Sequence, residues 1–170
     1  DQAANLLQTF VREARSVAEN PDVRAISARI VSGMARESDA AALRRELERA
    51  RALFGFAGIR MVDWQGRTRL ATAVQPATPS GQDAELAHQA LAQGHAVLGD
   101  PWGRWLSVAV PVGSGADQSS VLLFHMDGGR LLLPMLREWP GFGPTAGAHL
   151  VRQHGNSALV LTPPASACDP

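Results

Sequence analysis

The spacing of apolar residues changes once along this chain, near residue 56, and this change limits the folds available to it. Before residue 56, apolar side chains recur every three or four residues, as on one face of a helix. After it, apolar and polar residues alternate in short runs that turn residues separate, as in β-strands. The chain is therefore expected to begin with helices and to continue as a sheet.

Three helices are predicted in the first 55 residues. The first covers 3–18 and carries a narrow apolar seam that could also pair with a partner helix. A second helix is predicted after Asn20 and Pro21, because asparagine caps helices well and proline suits the first turn. A third starts at Ser38 and continues to residue 55, with its charged residues coating the solvent-facing side.

Five strands and a further helix are predicted next. The strand candidates are 57–64, 67–73, 95–99, 104–112 and 119–127, and the helix covers 81–93. No βαβ alternation of suitable length is present, so we expect an antiparallel sheet with helices packed to one side, which is an α+β fold. One more hairpin, around Gly155-Asn156, is expected either to dock on this sheet or to open a second, partial module.

These elements divide the chain into three predicted regions. They are a helical stalk at 1–55, a core at 56–138, and a hairpin with its tail at 139–170. The chain does not begin with methionine, and its Pro-rich tail has no obvious domain end. We therefore expect it to be a piece of a longer protein.

Composition and motifs argue against several classes of function. Sixteen basic residues balance sixteen acidic ones, so no overall charge attracts nucleic acid. The single cysteine excludes an intramolecular disulfide, and five scattered histidines do not predict a zinc site. No nucleophile elbow, phosphate loop or dinucleotide fingerprint is present, so neither an enzyme nor a cofactor is predicted.

The chain contains a long amphipathic helix, the hairpin FxGIRMVDWQGRTRLAT and the pair WLSVAVPV and SSVLLFHMD. These segments resemble the Cache domain, the PAS-like extracytoplasmic sensor of bacterial receptors. The later segment WPGFGPTAGAHLVRQHGNSALVL is similar to the opening strands of a second, membrane-proximal Cache module. The resemblance implies a PAS-like sheet that forms a cup for a small ligand.

The resemblance also implies a location and partners. It implies a periplasmic sensor domain in a membrane-anchored signal transduction protein, either a histidine kinase of a two-component system or a diguanylate cyclase. A homodimer would form through the N-terminal helices. In amino-acid-binding Cache domains an arginine and an aromatic residue precede the hairpin, and an aspartate closes the last strand. Arg104, Trp105 and Asp127 lie at comparable positions, although the tyrosines of that motif are missing.

The predicted pairing of strands 104–112 and 119–127 adds His125 to this candidate site. If the turn between 104–112 and 119–127 is centred at 115–116, Arg104 lies opposite Asp127 and Leu106 lies opposite His125. These four side chains would then share one face of the sheet. An arginine binds carboxylates and an aspartate binds amines, so the predicted ligand is a carboxylate or amino-acid-like molecule. The predicted ligand-binding residues are Arg104, Trp105, His125 and Asp127.

Other interpretations of the same residues stay open. Asp127 could cap a following helix, and Arg104 and Asp127 could form only a cross-strand ion pair. Trp105 could fill the core, and Asp63 is assigned to the turn with Gln65-Gly66. The alternative functions are a ligand-free dimerisation or protein-interaction module of a receptor, and a cytosolic PAS- or GAF-like domain.

Overall fold

The computed structural model of the chain describes residues 2–72, 81–99, 105–113, 119–128, 151–154 and 157–160. Within these ranges the helices are α1 (Gln2–Ala18), α2 (Pro21–Val31), α3 (Glu37–Phe54) and α4 (Gly81–Gln93). The strands are β1 (Gly58–Asp63), β2 (Thr68–Ala71), β3 (Val97–Leu98), β4 (Trp105–Val112), β5 (Ser120–Asp127), β6 (Val151–His154) and β7 (Ser157–Val160). The predicted α+β class, with N-terminal helices and a five-stranded antiparallel sheet, is confirmed.

Local signals in the sequence set the ends of the N-terminal helices. The Asn20 side chain accepts hydrogen bonds from the backbone N–H groups of Asp22 and Val23, which caps α2 as predicted. Asp39 accepts a hydrogen bond from the backbone N–H of Arg36 at the start of α3. The Asp39 carboxylate also receives two hydrogen bonds from the Arg29 guanidinium, each 2.9 Å long, which join α2 to α3.

The five-stranded sheet has the order β2-β1-β5-β4-β3, and all its neighbouring strands are antiparallel. The first and last strands of this sheet along the chain, β1 and β5, are therefore neighbours inside it. Strands β6 and β7 pair separately as a two-stranded antiparallel hairpin. This pairing agrees with the hairpin expected in that part of the chain. Residues 155–156 lie outside the described residues, and the assignment of the hairpin to a second module stays a prediction.

The turn between β1 and β2 contains the aspartate that the sequence assigned to it. Asp63 Oδ1 accepts hydrogen bonds from the backbone N–H groups of Gln65 and Arg67, both 2.9 Å long. Gly66 has a φ of 77°, in the left-handed region that favours glycine. The hairpin that ends the helical part of the chain is thus set by short-range chemistry.

Helices cover both faces of the sheet, so the expectation that they pack to one side is wrong. The N-terminal helices cover one face, which we call the helical face. There Phe10 and Phe56 have ring centroids 5.7 Å apart, and Phe56 and Phe124 have centroids 5.2 Å apart. Helix α4 covers the opposite face, which we call the α4 face, with Leu86, Ala87 and Ala90 buried in a second apolar cluster.

Burial on both faces explains why the strand pattern did not predict a second layer of helix. All six residues of β1 are buried, and so are the first six residues of β5. A strand covered on both faces has a nearly continuous apolar pattern, which does not separate an inner side from an outer one.

Candidate functional site

The structure places three of the four predicted site residues. Trp105 and Asp127 face each other at one end of the β4–β5 pair, and His125 faces Ser107. Trp105 and Asp127 are half-buried, whereas His125 is only 1% exposed. Arg104 lies outside the described residues.

The predicted register of β4 against β5 is wrong by one residue. Asp127 faces Trp105 instead of Arg104, and Leu106 faces Met126 instead of His125. A shift of one residue moves a side chain to the other face of the sheet. Leu106 therefore lies on the helical face. The prediction that it shares a face with His125 and Asp127 is wrong.

Apolar packing accounts for the register that the chain adopts. In the observed register, Val108 lies opposite Phe124 and Val110 lies opposite Leu122. All four side chains belong to the core under the N-terminal helices. The predicted register would have paired Val108 with Leu123, a residue of the cluster under α4. The observed pairing keeps the large apolar side chains of both strands on one side, where burial is most favourable.

A polar cluster lies on the α4 face. Ser107 Oγ is 3.0 Å from His125 Nδ1 and 3.5 Å from Asp83 Oδ1. Asp83 in the first turn of α4 is 4% exposed, and Arg60 of β1, on the same side of the sheet, is 3% exposed. We call Arg60, Asp83, Ser107 and His125 the buried polar cluster. Such groups are costly to bury unless hydrogen bonds or opposite charges compensate for the lost hydration.

Small residues flank the histidine across the strands. Gly58 on β1 is directly opposite His125, and Ser107 occupies the other side. Beyond Ser107, Gly99 donates a 2.7 Å hydrogen bond from its backbone N–H to the Ser107 carbonyl. The imidazole therefore has no bulky side chain directly beside it on either neighbouring strand.

Burial keeps the His125 imidazole neutral. It lowers the pKa of His125 from the ordinary 6.5 to about 4, because the charged form loses its hydration inside the protein. The Asp83 carboxylate acts in the opposite direction and raises the pKa, while the positive charge of Arg60 lowers it. At neutral pH the cluster thus presents an uncharged imidazole between two groups of opposite charge.

The order of groups in the cluster does not match a catalytic triad. In a triad, histidine lies between the serine nucleophile and the carboxylate. Here the serine lies between the carboxylate and the histidine, so the imidazole is not oriented by Asp83. The described residues also contain no group of three or more His, Cys, Asp or Glu side chains placed to hold a metal ion. The arrangement is suited to hydrogen bonding with a small polar molecule.

Sequence reasoning missed three members of the buried polar cluster. Asp83 was not among the predicted site residues, although it lies on the same buried face of α4 as Leu86, Ala87 and Ala90. That helical spacing was the signal that could have found it. Ser107 was missed because the predicted register of β4 against β5 was wrong by one residue. Arg60 was missed because all residues of β1 are buried, so the strand pattern does not show which residues face α4.

Two grooves lie outside the cluster, among the helices. One of about 350 Å³ is lined by α1 and β3 residues, among them Leu7, Val11, Arg12 and Leu98. The other, of about 200 Å³, lies between α1, α2 and α3. Neither contains a residue that the sequence predicted for ligand binding.

Comparison of the sequence with protein-family models gave no match, and comparison with curated proteins gave none. None of the helices in the described ranges has both the length and the apolar character that crossing a bilayer requires.

Proposed function

We propose that this chain is a Cache-type ligand-sensing domain from the periplasmic part of a membrane-bound signal transduction protein. The observation that carries the proposal is the difference between the two covered faces of the sheet. The helical face is packed with apolar side chains, whereas the α4 face holds the buried polar cluster. A buried set of polar groups between a sheet and a single helix has the chemistry of a small-molecule site.

Strand β5 provides a short physical link between such a site and the N-terminal helices. His125 belongs to the cluster, while the preceding residue, Phe124, packs on Phe56, which in turn contacts Phe10 of α1. A ligand that favours one geometry of β5 would therefore also favour one position of α1. It can shift that equilibrium only by the difference between its affinities for the two states. A histidine kinase or diguanylate cyclase would be the output.

Thermal unfolding of the purified domain tests the proposal. Amino acids, carboxylates, polyamines and fatty acids are added separately, and at least one class should raise the melting temperature. A ligand at 100 times its Kd stabilises the folded state by about 2.7 kcal/mol. Asp83→Asn should abolish the rise. Glu85→Gln, on the exposed side of the same helix, should retain it. If no class stabilises the wild-type domain, the sensing proposal is wrong.

A second candidate function is a dimerisation module, and the groove along α1 favours it. Its lining combines Leu7, Val11 and Leu98 with two arginines, Arg12 and Arg15. Deleting residues 1–20 is a poor test, because Phe10 and Ala14 belong to the core and their loss would unfold the domain. Arg12→Glu, at an exposed position that lines the same groove, avoids that problem. Light scattering should show a wild-type dimer that this substitution converts to a monomer; a monomeric wild type would contradict the candidate.

A further inference from the structure

One ring nitrogen of His125 has no hydrogen-bond partner. Nδ1 contacts Ser107, but Nε2 is fully enclosed and contacts no donor or acceptor within the described part of the chain. Nearly all buried polar atoms in folded proteins have a partner. An enclosed nitrogen without one is therefore a position at which a bound molecule would complete the hydrogen bonding.

The contacts of Ser107 decide which ring nitrogen carries the proton. Its hydroxyl has one hydrogen and two neighbours, Asp83 Oδ1 at 3.5 Å and His125 Nδ1 at 3.0 Å. A carboxylate can only accept a hydrogen bond, whereas a neutral imidazole donates from one nitrogen and accepts at the other. Both contacts are satisfied only if the hydroxyl donates to Asp83 and Nδ1–H donates to the hydroxyl oxygen. Nε2 then carries a lone pair and acts as an acceptor.

This assignment limits the chemistry of a molecule bound at Nε2. An amine or an alcohol can donate an N–H or O–H to the lone pair. A carboxylate has no hydrogen to donate to this lone pair. Gly58, directly across from His125 on β1, brings no side chain into the space beside the ring.

We propose that His125 Nε2 is the hydrogen-bond acceptor that anchors the sensed molecule, which presents an amine or hydroxyl group to it. This role rests on the proposed sensing function and specifies its ligand class. It differs from the sequence-based expectation of a carboxylate bound by Arg104, since the anchor is an uncharged acceptor. His125 binds the ligand and performs no covalent step.

The first test is the tautomer of His125 in the unliganded wild-type domain. Long-range ¹H–¹⁵N correlation spectra distinguish a ring protonated at Nδ1 from one protonated at Nε2, and His125→Phe assigns the resonances. We expect the proton on Nδ1 at pH 7. A proton on Nε2 would overturn the proposal, because that nitrogen would then be a donor. If His125→Phe does not fold, single substitutions of the other four histidines assign the His125 resonances by elimination.

The second test uses three probes of matched size: n-propylamine, 1-propanol and propionate. The amine or the alcohol should shift the Nε2 resonance of His125 and raise the melting temperature, and propionate should do neither. His125→Phe should lose the thermal response, whereas His88→Gln, on the exposed side of α4, should keep it. A response to propionate that requires His125, or no response of His125 to any probe, overturns this proposal.

The two proposals fail in distinguishable ways. If the wider panel of metabolites stabilises the domain but the amine and alcohol probes leave His125 unaffected, sensing stands and the anchoring role is wrong. If the wider panel also has no effect, the sensing function itself is wrong.

Discussion

The two covered faces of the sheet are built on different physical principles. The helical face packs aromatic and aliphatic side chains from α1, α3 and the strands into one continuous core. The α4 face has a smaller apolar cluster of mostly short side chains, with the buried polar cluster beside it. The first face contributes mainly stability, through apolar burial. The second face buries polar groups and so contributes less to the free energy of unfolding. Such a loss is typical of sites that bind a ligand.

The largest expected difference between the faces comes from adjacent residues on β5. Phe124→Ala removes a fully buried ring that contacts Phe56, and should reduce the free energy of unfolding by about 3–5 kcal/mol. Leu123→Ala, on the α4 face, should cost less, toward the lower end of about 2–5 kcal/mol, because fewer buried carbon atoms are removed. Urea unfolding measures both. A larger loss for Leu123→Ala would mean that the α4 face, and not the helical face, dominates stability.

Local signals allowed the elements of this fold to be predicted from sequence. The capping of α2 by Asn20, the turn at Asp63 and the apolar spacing of α4 depend on residues close together in the chain, so a single sequence contains them. The predicted bounds of α4, residues 81–93, agree with the structure.

The candidate site depends on contacts that are distant in the chain. The pairing of Ser107 with His125 is fixed by which apolar side chains of β4 and β5 reach the same core, and a shift of one residue reverses the faces. Asp83 joins them only because α4 packs on the face opposite the N-terminal helices. The sequence correctly placed His125 and Asp127 on a common face. It did not predict that Ser107 and Trp105 are their partners on β4.

The next expected effect is a pH dependence that belongs to the α4 face. The pKa of His125 is near 6.5 when unfolded and about 4 when folded, so the unfolded chain binds more protons between these values. The contribution of His125 to the free energy of unfolding should be fully present above about pH 6.5. It should decrease as the pH falls toward 4, by up to about 3 kcal/mol.

Urea unfolding at intervals between pH 7 and pH 4.5 measures this slope. His125→Phe should flatten it, while His88→Gln should leave it unchanged, because His88 is exposed. On the helical side, Arg29 holds the pKa of Asp39 far below its ordinary value of 3.8, so stability from that pair is lost only at more acidic pH. An unchanged slope in His125→Phe would mean that another group titrates in this window.

The smallest expected effect concerns how closely α4 packs on the sheet. A Cβ added at Gly99 would lie 3.2 Å from the Ser107 carbonyl oxygen and 3.3 Å from Leu86 Cδ2. Gly99→Ala should therefore push α4 away from the strand that carries Ser107 and cost about 1 kcal/mol. Gly81→Ala is the matched control, because its added Cβ has no atom within 4 Å apart from its chain neighbours and the backbone of its own helix. At the start of α4 it should stabilise the domain by about 0.5 kcal/mol. In urea unfolding, Gly99→Ala should lower the free energy of unfolding and Gly81→Ala should raise it. Equal losses for the two variants would mean that the α4 face is loosely packed around the buried polar cluster.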